Sequence, residues 1–429
     1  MSATADRLER SKAAATSGAP DPYSIPLEQI DVSRADYWGT DTVGPLFARL
    51  RREDPVHYCP DSANGAYWSV TRFNDVKFVD SHHEIYSSEI GGITIADRDI
   101  EPEVALENFI AMDQPRHDEQ RKTVAPSVAP ANLALFEPLI RERAADILDH
   151  LPVGETFNWV DLVSIELTAR MLATLFDFPY ADRRKLTYWS DITTSSPQIM
   201  GEAGLPVEVR AREFGECVSA FTELWRDRAS RAPGNDLISM LAHGPATRDM
   251  LSRPAEFLGN IMLLIVGGND TTRNSISGGV LALNQFPDEY RKLEEQPKLI
   301  PNMVSEMIRW QSPVIHMRRT PFHDTELGGK TIRAGEKVVM WYYSGNRDEE
   351  IFPDGDRLII DRPNARQHVS FGFGIHRCMG NRLAELQLRI LWEEIQKRFR
   401  KVELVGPVVR VPNNFIRGIA DLPVQVHPR

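Results

Sequence analysis

The chain has 429 residues, about two to four times the length of an ordinary domain, so length alone leaves the domain count open. Hydrophobic residues at 42% and charged residues at 26% are those of a globular protein with a large core, which excludes broad disorder. Acidic residues outnumber basic ones by 61 to 50, a net charge of −11, opposite in sign to the footprint of a nucleic-acid binder. Cys59, Cys217 and Cys378 lie far apart with no CxxC, which excludes a disulfide framework and a four-cysteine zinc site and fits a reducing cytoplasm.

In chain order, the first residues mix Ala, Ser and Thr with Asp6, Arg7, Glu9, Arg10 and Lys12 and hold no apolar signal-peptide core. Residues 1–25 therefore read as a disordered tail, and 26–429 as one domain. Tyr67-Trp68-Ser69-Val70 followed by Val76 to Val79 predicts a strand leading into a helix, where ordered structure begins. From Arg116 to about Asn284 apolar residues recur every three or four, as in Leu162, Ile165, Ala169 and Leu172, which predicts the helical bulk. Ser252-Arg253-Pro254 marks the start of a long helix that stops before Pro287. Its most apolar run, Phe257–Val266, is shorter than the roughly 18 residues a membrane span needs and is interrupted by Gly259 and Asn260. After Arg319 come short β-like runs such as Lys337 to Trp341, then a last helix from Gly380 to about Phe399. The fold class is mainly α with a smaller β-rich region.

The loop before the last helix reads Phe371-Gly372-Phe373-Gly374-Ile375-His376-Arg377-Cys378-Met379-Gly380. As a nucleotide-binding GxGxxG it fails, because Arg377 stands where the third glycine is required. A Cys-His hydrolase needs a histidine in fixed geometry at the sulfur, and none of the cysteine-protease signatures is present. A third reading makes Cys378 a thiolate ligand of haem iron. Glycines let the backbone approach a flat macrocycle, and a helix beginning just beyond the sulfur brings N-H groups and a positive end that favour thiolate. Phe371 would shield the sulfur, while His376 and Arg377 are donors suited to a propionate. An inert buried cysteine in a glycine turn is the commoner fate of a lone cysteine.

At this loop the chain resembles the cytochrome P450 superfamily, whose haem signature is Phe-x-x-Gly-x-x-x-Cys-x-Gly with His or Arg two residues before the cysteine. Phe371, Gly374, His376, Cys378 and Gly380 all match. Three further motifs follow the family's order, and the resemblance extends over nearly the whole chain beyond the tail. It implies the family's triangular helical prism, with haem b held between two long helices and Cys378 as axial thiolate.

Within the long helix stands Gly267-Gly268-Asn269-Asp270-Thr271-Thr272. Each glycine costs roughly 1 kcal/mol relative to alanine, so the pair reads either as close helix packing or as a local opening of the hydrogen-bond ladder beside the iron. Thr271 can bond back to the carbonyl of Gly267. The resemblance makes Asp270 and Thr271 the acid-alcohol pair that delivers protons to bound oxygen, with Asp270 offering a route from solvent. Glu306 and Arg309, three apart on one helical face, match the family's ExxR, with Arg362 as the third member of a structural network. Asp113-Gln114-Pro115-Arg116-His117 resembles a family helix start, placing His117 and Arg121 at i, i+4 against a propionate. Arg319 is the expected strand ligand of a propionate; Arg318 stands beside it, so strand register decides which of the two faces the macrocycle.

The implied reaction is monooxygenation, in which the thiolate pushes electron density onto iron and favours O-O cleavage. No flavin or nicotinamide fingerprint accompanies these motifs, so electrons are expected from a 2Fe-2S ferredoxin and an NAD(P)H-dependent reductase, steered by Arg377, Arg382 and Lys122. Substrate-lining segments are expected at Gly91 to Met112, Ser195 to Leu205, Leu263 to Gly268, Val314 to Met317 and Asn414 to Ile416. Leu263, Leu264, Gly267, Val314, Ile315, Met317 and Phe415 make an apolar lining, hence a hydrophobic substrate. Phe109 to His117 and Met307 to Pro313 also resemble bacterial terminal hydroxylases of n-alkanes and medium-chain fatty acids; the alternatives are a hydroxylase of terpenes or bulkier hydrophobes, and a haem-thiolate sensor without turnover.

Overall fold

The computed structural model describes residues 8–12, 20–97 and 106–429. Much of the expected tail therefore lies outside the described residues, as do 98–105 of the Gly91 to Met112 segment. Residues 8–12 form a helical turn, with Arg10 donating to the Ala203 carbonyl at 2.8 Å and Leu8 packed beside Ile199 and Phe415. So short a turn leaves no readable period. Ordered structure also begins well before Tyr67: α1 (Gly44–Glu53) starts with a proline in its first turn and buries Leu46, Phe47 and Leu50.

The helices that position the site are α2 (Phe73–Ser81), α3 (Arg116–Val124), α4 (Pro130–Asp149), α5 (Glu166–Phe176), α6 (Arg183–Thr193), α7 (Val207–Ala229), α8 (Pro254–Gln285), α9 (Ile300–Gln311) and α10 (Asn381–Arg398). The long helix α8 runs as predicted from Pro254, whose missing N-H costs nothing in a first turn, and ends before Pro287. It is buried on most sides, with Phe257, Ile261, Ile265, Ile276, Val280 and Leu283 in the main core. Close packing explains some of its glycines: a Cβ on Gly278 would lie 2.4 Å from Gln311 Oε1, and one on Gly279 would lie 2.7 Å from Met307 Sδ, both on α9.

The largest sheet has the order β1-β2-β6-β5-β3, made of β1 (Val56–Cys59), β2 (Tyr67–Val70), β3 (Tyr86–Ser87), β5 (His316–Pro321) and β6 (Val338–Trp341). The β2-β6 pair is parallel and the others are antiparallel. A second sheet places β10 (Pro423–Pro428) between β4 (Phe157–Asn158) and β7 (Phe399–Leu404), and β8 (Val409–Arg410) pairs with β9 (Ile419–Asp421). The β strands thus flank a predominantly helical body, as expected. No helix among the described residues is long and apolar enough to cross a membrane.

Candidate active site at the cysteine loop

Glu306, Arg309 and Arg362 meet in the core below this site. Arg309 binds the Glu306 carboxylate through Nε and Nη2 at 2.7 Å each, and Arg362 Nε donates to Glu306 Oε1 at 3.0 Å. Glu306 and Arg309 are fully buried, so the charges compensate one another in a low-dielectric setting. The remaining guanidinium hydrogens go to main-chain carbonyls: Asn346, Gly355 and Arg357 for Arg309, and Pro353, Asp354 and Arg357 for Arg362. This network fixes the chain that leads into the cysteine loop.

In that loop Gly372 and Gly374 have φ near +64° and +63°, where an L side chain is strained. A Cβ on Gly374 would also lie 2.5 Å from the Asp80 carbonyl, so only glycine lets the loop seat against α2. The Cys378 N-H closes the loop on the Phe371 carbonyl at 2.8 Å. Cys378 is exposed, but to an internal cavity of about 430 Å³. Burial pushes its thiol up, opposed by the N-H groups of Gly380 and Asn381 at the start of α10 and by the charges of Arg121 and Arg377. Cys59 and Cys217 are buried and do not line this cavity.

The cavity lies between α8 and α10. Leu263, Leu264, Gly267, Gly268, Thr271, Val314, Met317, Phe371, His376, Gly380 and Phe415 line it, as do Arg121 and Arg319. Strand register settles the arginine pair. Arg319 turns inward and binds Asp80 at 2.7 Å, whereas Arg318 turns to the opposite side and binds Asp97. A Cβ on Gly267 or on Gly380 would meet nothing within 4 Å, so the walls on both sides are open. Both ring nitrogens of His376 and Nε2 of His117 are buried without a hydrogen-bond partner among the described residues. Anionic propionate oxygens would relieve that cost, and Arg121 and Arg319 supply the matching charge. The open slot, the cysteine and these donors fit haem.

Two expectations need correction, and two of the expected residues stand behind the cavity wall. Ile315 is fully buried in the cluster around Trp38 and Trp341 and does not line the cavity. Val314 sits in an isolated bridge to Ile416 and β5 starts only at His316, so the alternation of side chains breaks at Ile315; Val314 and Met317 reach the cavity and Ile315 turns away. Asp270 also lies off the cavity. It is buried at 1% exposure and hydrogen-bonded to Arg273, which also binds Asp191 on α6 at 2.8 Å. One helical residue is about 100° of rotation, enough to separate it from Thr271. His117 stands behind His376, ring centroids 4.2 Å apart, with Nδ1 on Asp118 and its buried Nε2 without a partner among the described residues. Finally, α8 is uninterrupted through Gly267–Thr272, so the groove comes from the missing side chain at Gly267 and not from a broken ladder. Gly268 instead packs, its imagined Cβ 2.8 Å from Leu172 Cδ2.

Thr271 Oγ1 donates to the Gly267 carbonyl at 3.0 Å, as the spacing predicts, and faces the cavity. Sequence reasoning missed Asp80, whose carboxylate accepts from Arg319, Tyr342 and the Phe373 N-H and so ties α2, β5 and the cysteine loop together. Its only sequence signal was an acid on an otherwise apolar helical face. Met262 and Leu383 also line the cavity.

Comparison with known proteins agrees with this geometry. Residues 214–417 match the family described as Cytochrome P450. The chain is 37% identical over 416 residues to linalool 8-monooxygenase of Pseudomonas putida, covering 94% of this chain and all of that one. It is 32% identical over 432 residues to a methyl-branched lipid omega-hydroxylase of Mycobacterium tuberculosis, covering 97% and 99%. The solved structure of cytochrome P450-153 from Novosphingobium aromaticivorans is 50% identical, covers 92% of this chain and 99% of its own, and superposes with a TM-score of 0.86. Likeness of this extent, carried on a cavity that suits haem and receives a single cysteine, shows that the chain belongs to the cytochrome P450 family of haem-thiolate monooxygenases.

Proposed function

We propose that this monooxygenase hydroxylates the terminal methyl group of n-alkanes or medium-chain fatty acids. The observation that carries the reading is the apolar lining that Leu263, Leu264, Val314, Met317 and Phe415 give the cavity onto which Cys378 opens. Cys378 would hold a haem, which would supply oxygen activation; the protein's own residues orient the chain, exclude water and hold a hydroxyl proton at Thr271 Oγ1. A terminal C-H bond is stronger than the methylene bonds beside it, so terminal attack requires a pocket that holds the methyl group forward and keeps methylenes out. Leu264 and Val314 are the residues placed to do so. The omega-hydroxylase relative supports this outcome; the linalool relative favours a second reading, a terpene hydroxylase.

We place the activity in one haem domain over residues 26–429, in a reducing cytoplasm where three free cysteines persist. Arg377, Arg382 and Lys122 are exposed on the cysteine side, a complement to an acidic ferredoxin supplied by its reductase. The test is product analysis with octane and dodecanoic acid, with ferredoxin and reductase present. Terminal alcohols are expected, and Val314→Ala should raise the ω-1 share. Mostly internal alcohols from the unaltered enzyme, or binding of neither chain, would overturn the reading, the latter in favour of terpenes or bulkier hydrophobes.

A further inference from the structure

Arg318 and Lys337 are two buried cations that share one carboxylate. Asp97 Oδ1 accepts from Arg318 Nη1 at 2.6 Å, and Oδ2 accepts from Lys337 Nζ at 3.1 Å. Each cationic side chain is only 7% exposed, whereas that of Asp97 is 44% exposed. The cations are built in. The Arg318 guanidinium fills the space a Cβ would need at Gly91, and Lys337 also donates to the carbonyls of Asn64 and Ile95. Asp97, by contrast, is held chiefly by the two charges.

Asp97 lines the main cavity, and it also lines a second pocket of about 270 Å³ walled by Tyr58, Trp68, Arg318 and Lys337. It is the residue where the two meet. The other acid of that pocket, Glu336, is engaged by Trp68 Nε1 at 2.7 Å and the Arg333 N-H at 2.9 Å. Arg318 Nε is buried with no hydrogen-bond acceptor among the described residues. Among the described residues Asp97 is thus the carboxylate that ties both cations, and Arg318 Nε is the donor left over. Burial and the neighbouring Arg318 hold the Lys337 pKa below its ordinary value.

We infer that Arg318 and Lys337 bind the carboxylate end of an aliphatic substrate, and that Asp97 occupies this position when no such substrate is bound. The inference rests on the proposed terminal hydroxylation, in which the methyl end points to the cysteine loop and the acid end reaches past Asp97 into the second pocket, which Arg318 and Lys337 line. Planar bidentate geometry suits a guanidinium to a carboxylate, and Asp97 shows that a carboxylate fits. An alkane has nothing to exchange with Asp97, so the site sets the preference between acid and alkane.

The experiment titrates holoenzyme with dodecanoic acid and with dodecane, following the haem absorption shift, and reads the ratio of the two dissociation constants. Arg318→Gln and Lys337→Gln should each move that ratio about tenfold or more against the acid, since each removes a charge-assisted hydrogen bond. Arg318→Lys should recover part of the loss. Asp97→Asn should move the ratio several-fold in favour of the acid by removing a competing anion, an outcome that a purely structural latch would not give. An unchanged ratio in Arg318→Gln and Lys337→Gln, or a shift against the acid in Asp97→Asn, overturns the carboxylate site. Binding of dodecane but not dodecanoic acid by the unaltered enzyme overturns it alone. Binding of neither overturns the substrate reading and the site with it.

Discussion

Alanine at the two adjacent glycines of α8 should have opposite effects on stability. In a helix interior, Gly→Ala gains about 0.5–1 kcal/mol where the new methyl meets nothing. That is the case at Gly267, where an added Cβ has no neighbour within 4 Å. At Gly268 the methyl would lie 2.8 Å from Leu172 Cδ2, where carbon atoms prefer about 3.5–4.0 Å. Leu172 is 1% exposed in the main core and has little room to yield, so overpacking of about 1–3 kcal/mol outweighs the helix gain. With an unfolding entropy of about 2.1 cal/mol/K per residue, a chain of 429 residues gains about 1 °C in Tm from Gly267→Ala and loses up to a few degrees from Gly268→Ala. Differential scanning fluorimetry on the two variants, with urea midpoints as a second measure, resolves the contrast. Because Gly267 lines the cavity, its alanine variant should also change substrate dissociation constants while being the more stable of the two. A Gly267→Ala protein less stable than Gly268→Ala would refute the reasoning.

Thr271→Ala removes the hydroxyl that faces the cavity, so oxygen consumption should persist while the product formed per oxygen falls and peroxide rises; full coupling in this variant would mean another group holds the proton. Glu306→Ala leaves Arg309 and Arg362 buried without their counter-charge and should cost about 3–5 kcal/mol by denaturant titration, with loss of haem; near-native stability would refute the structural role. His316 is fully buried, with Nδ1 facing the Asn414 carbonyl and Nε2 accepting the Ile95 N-H, and burial pushes its pKa down to about 3. The unfolded chain takes up this proton near pH 6.5 and the folded one does not, so stability should fall between about pH 6.5 and pH 3, by about 1.4 kcal/mol per pH unit for this group. In His316→Gln the slope of urea-derived stability between pH 6.5 and 4.5 should be shallower by that amount; an unchanged slope would exclude His316 as its source.

The parts of this molecule legible in its sequence are those whose signal is local. Proline and the 3.6-residue period bounded α8 at Pro254 and Gln285, and the ten residues from Phe371 to Gly380 carried the cysteine loop. Glu306 and Arg309 were legible for the same reason, being one helical turn apart. What escaped depends on which way an element is turned. Val314 and Ile315 are both apolar, and only the isolated bridge of Val314 to Ile416, just before β5 begins, separates the one from the cluster around Trp341 that takes Ile315. Arg318 and Arg319 posed the same problem. The setting of Asp270 escaped because its partner Arg273 is also tied to Asp191 of α6, some eighty residues earlier, and no spacing rule connects those two.

The Glu306 network also bears on chain entropy. From Asn346 to Cys378 the backbone holds only two three-residue 3-10 helices among its described residues, so by secondary structure alone it would be counted as a long loop. Yet its carbonyls at 346, 353, 354, 355 and 357 are taken by Arg309 and Arg362, those at Ile360 and Arg362 by Asn302, and that at Asp356 by Trp310. Side chains here replace the ladder that a helix or strand would provide. Irregularity of path and freedom of motion are thus separate properties in this stretch: the chain is aperiodic but cross-tied. The position of the Cys378 sulfur is thereby set through carbonyls up to some thirty residues upstream of it and by side chains of Glu306 and Arg309, some seventy residues upstream.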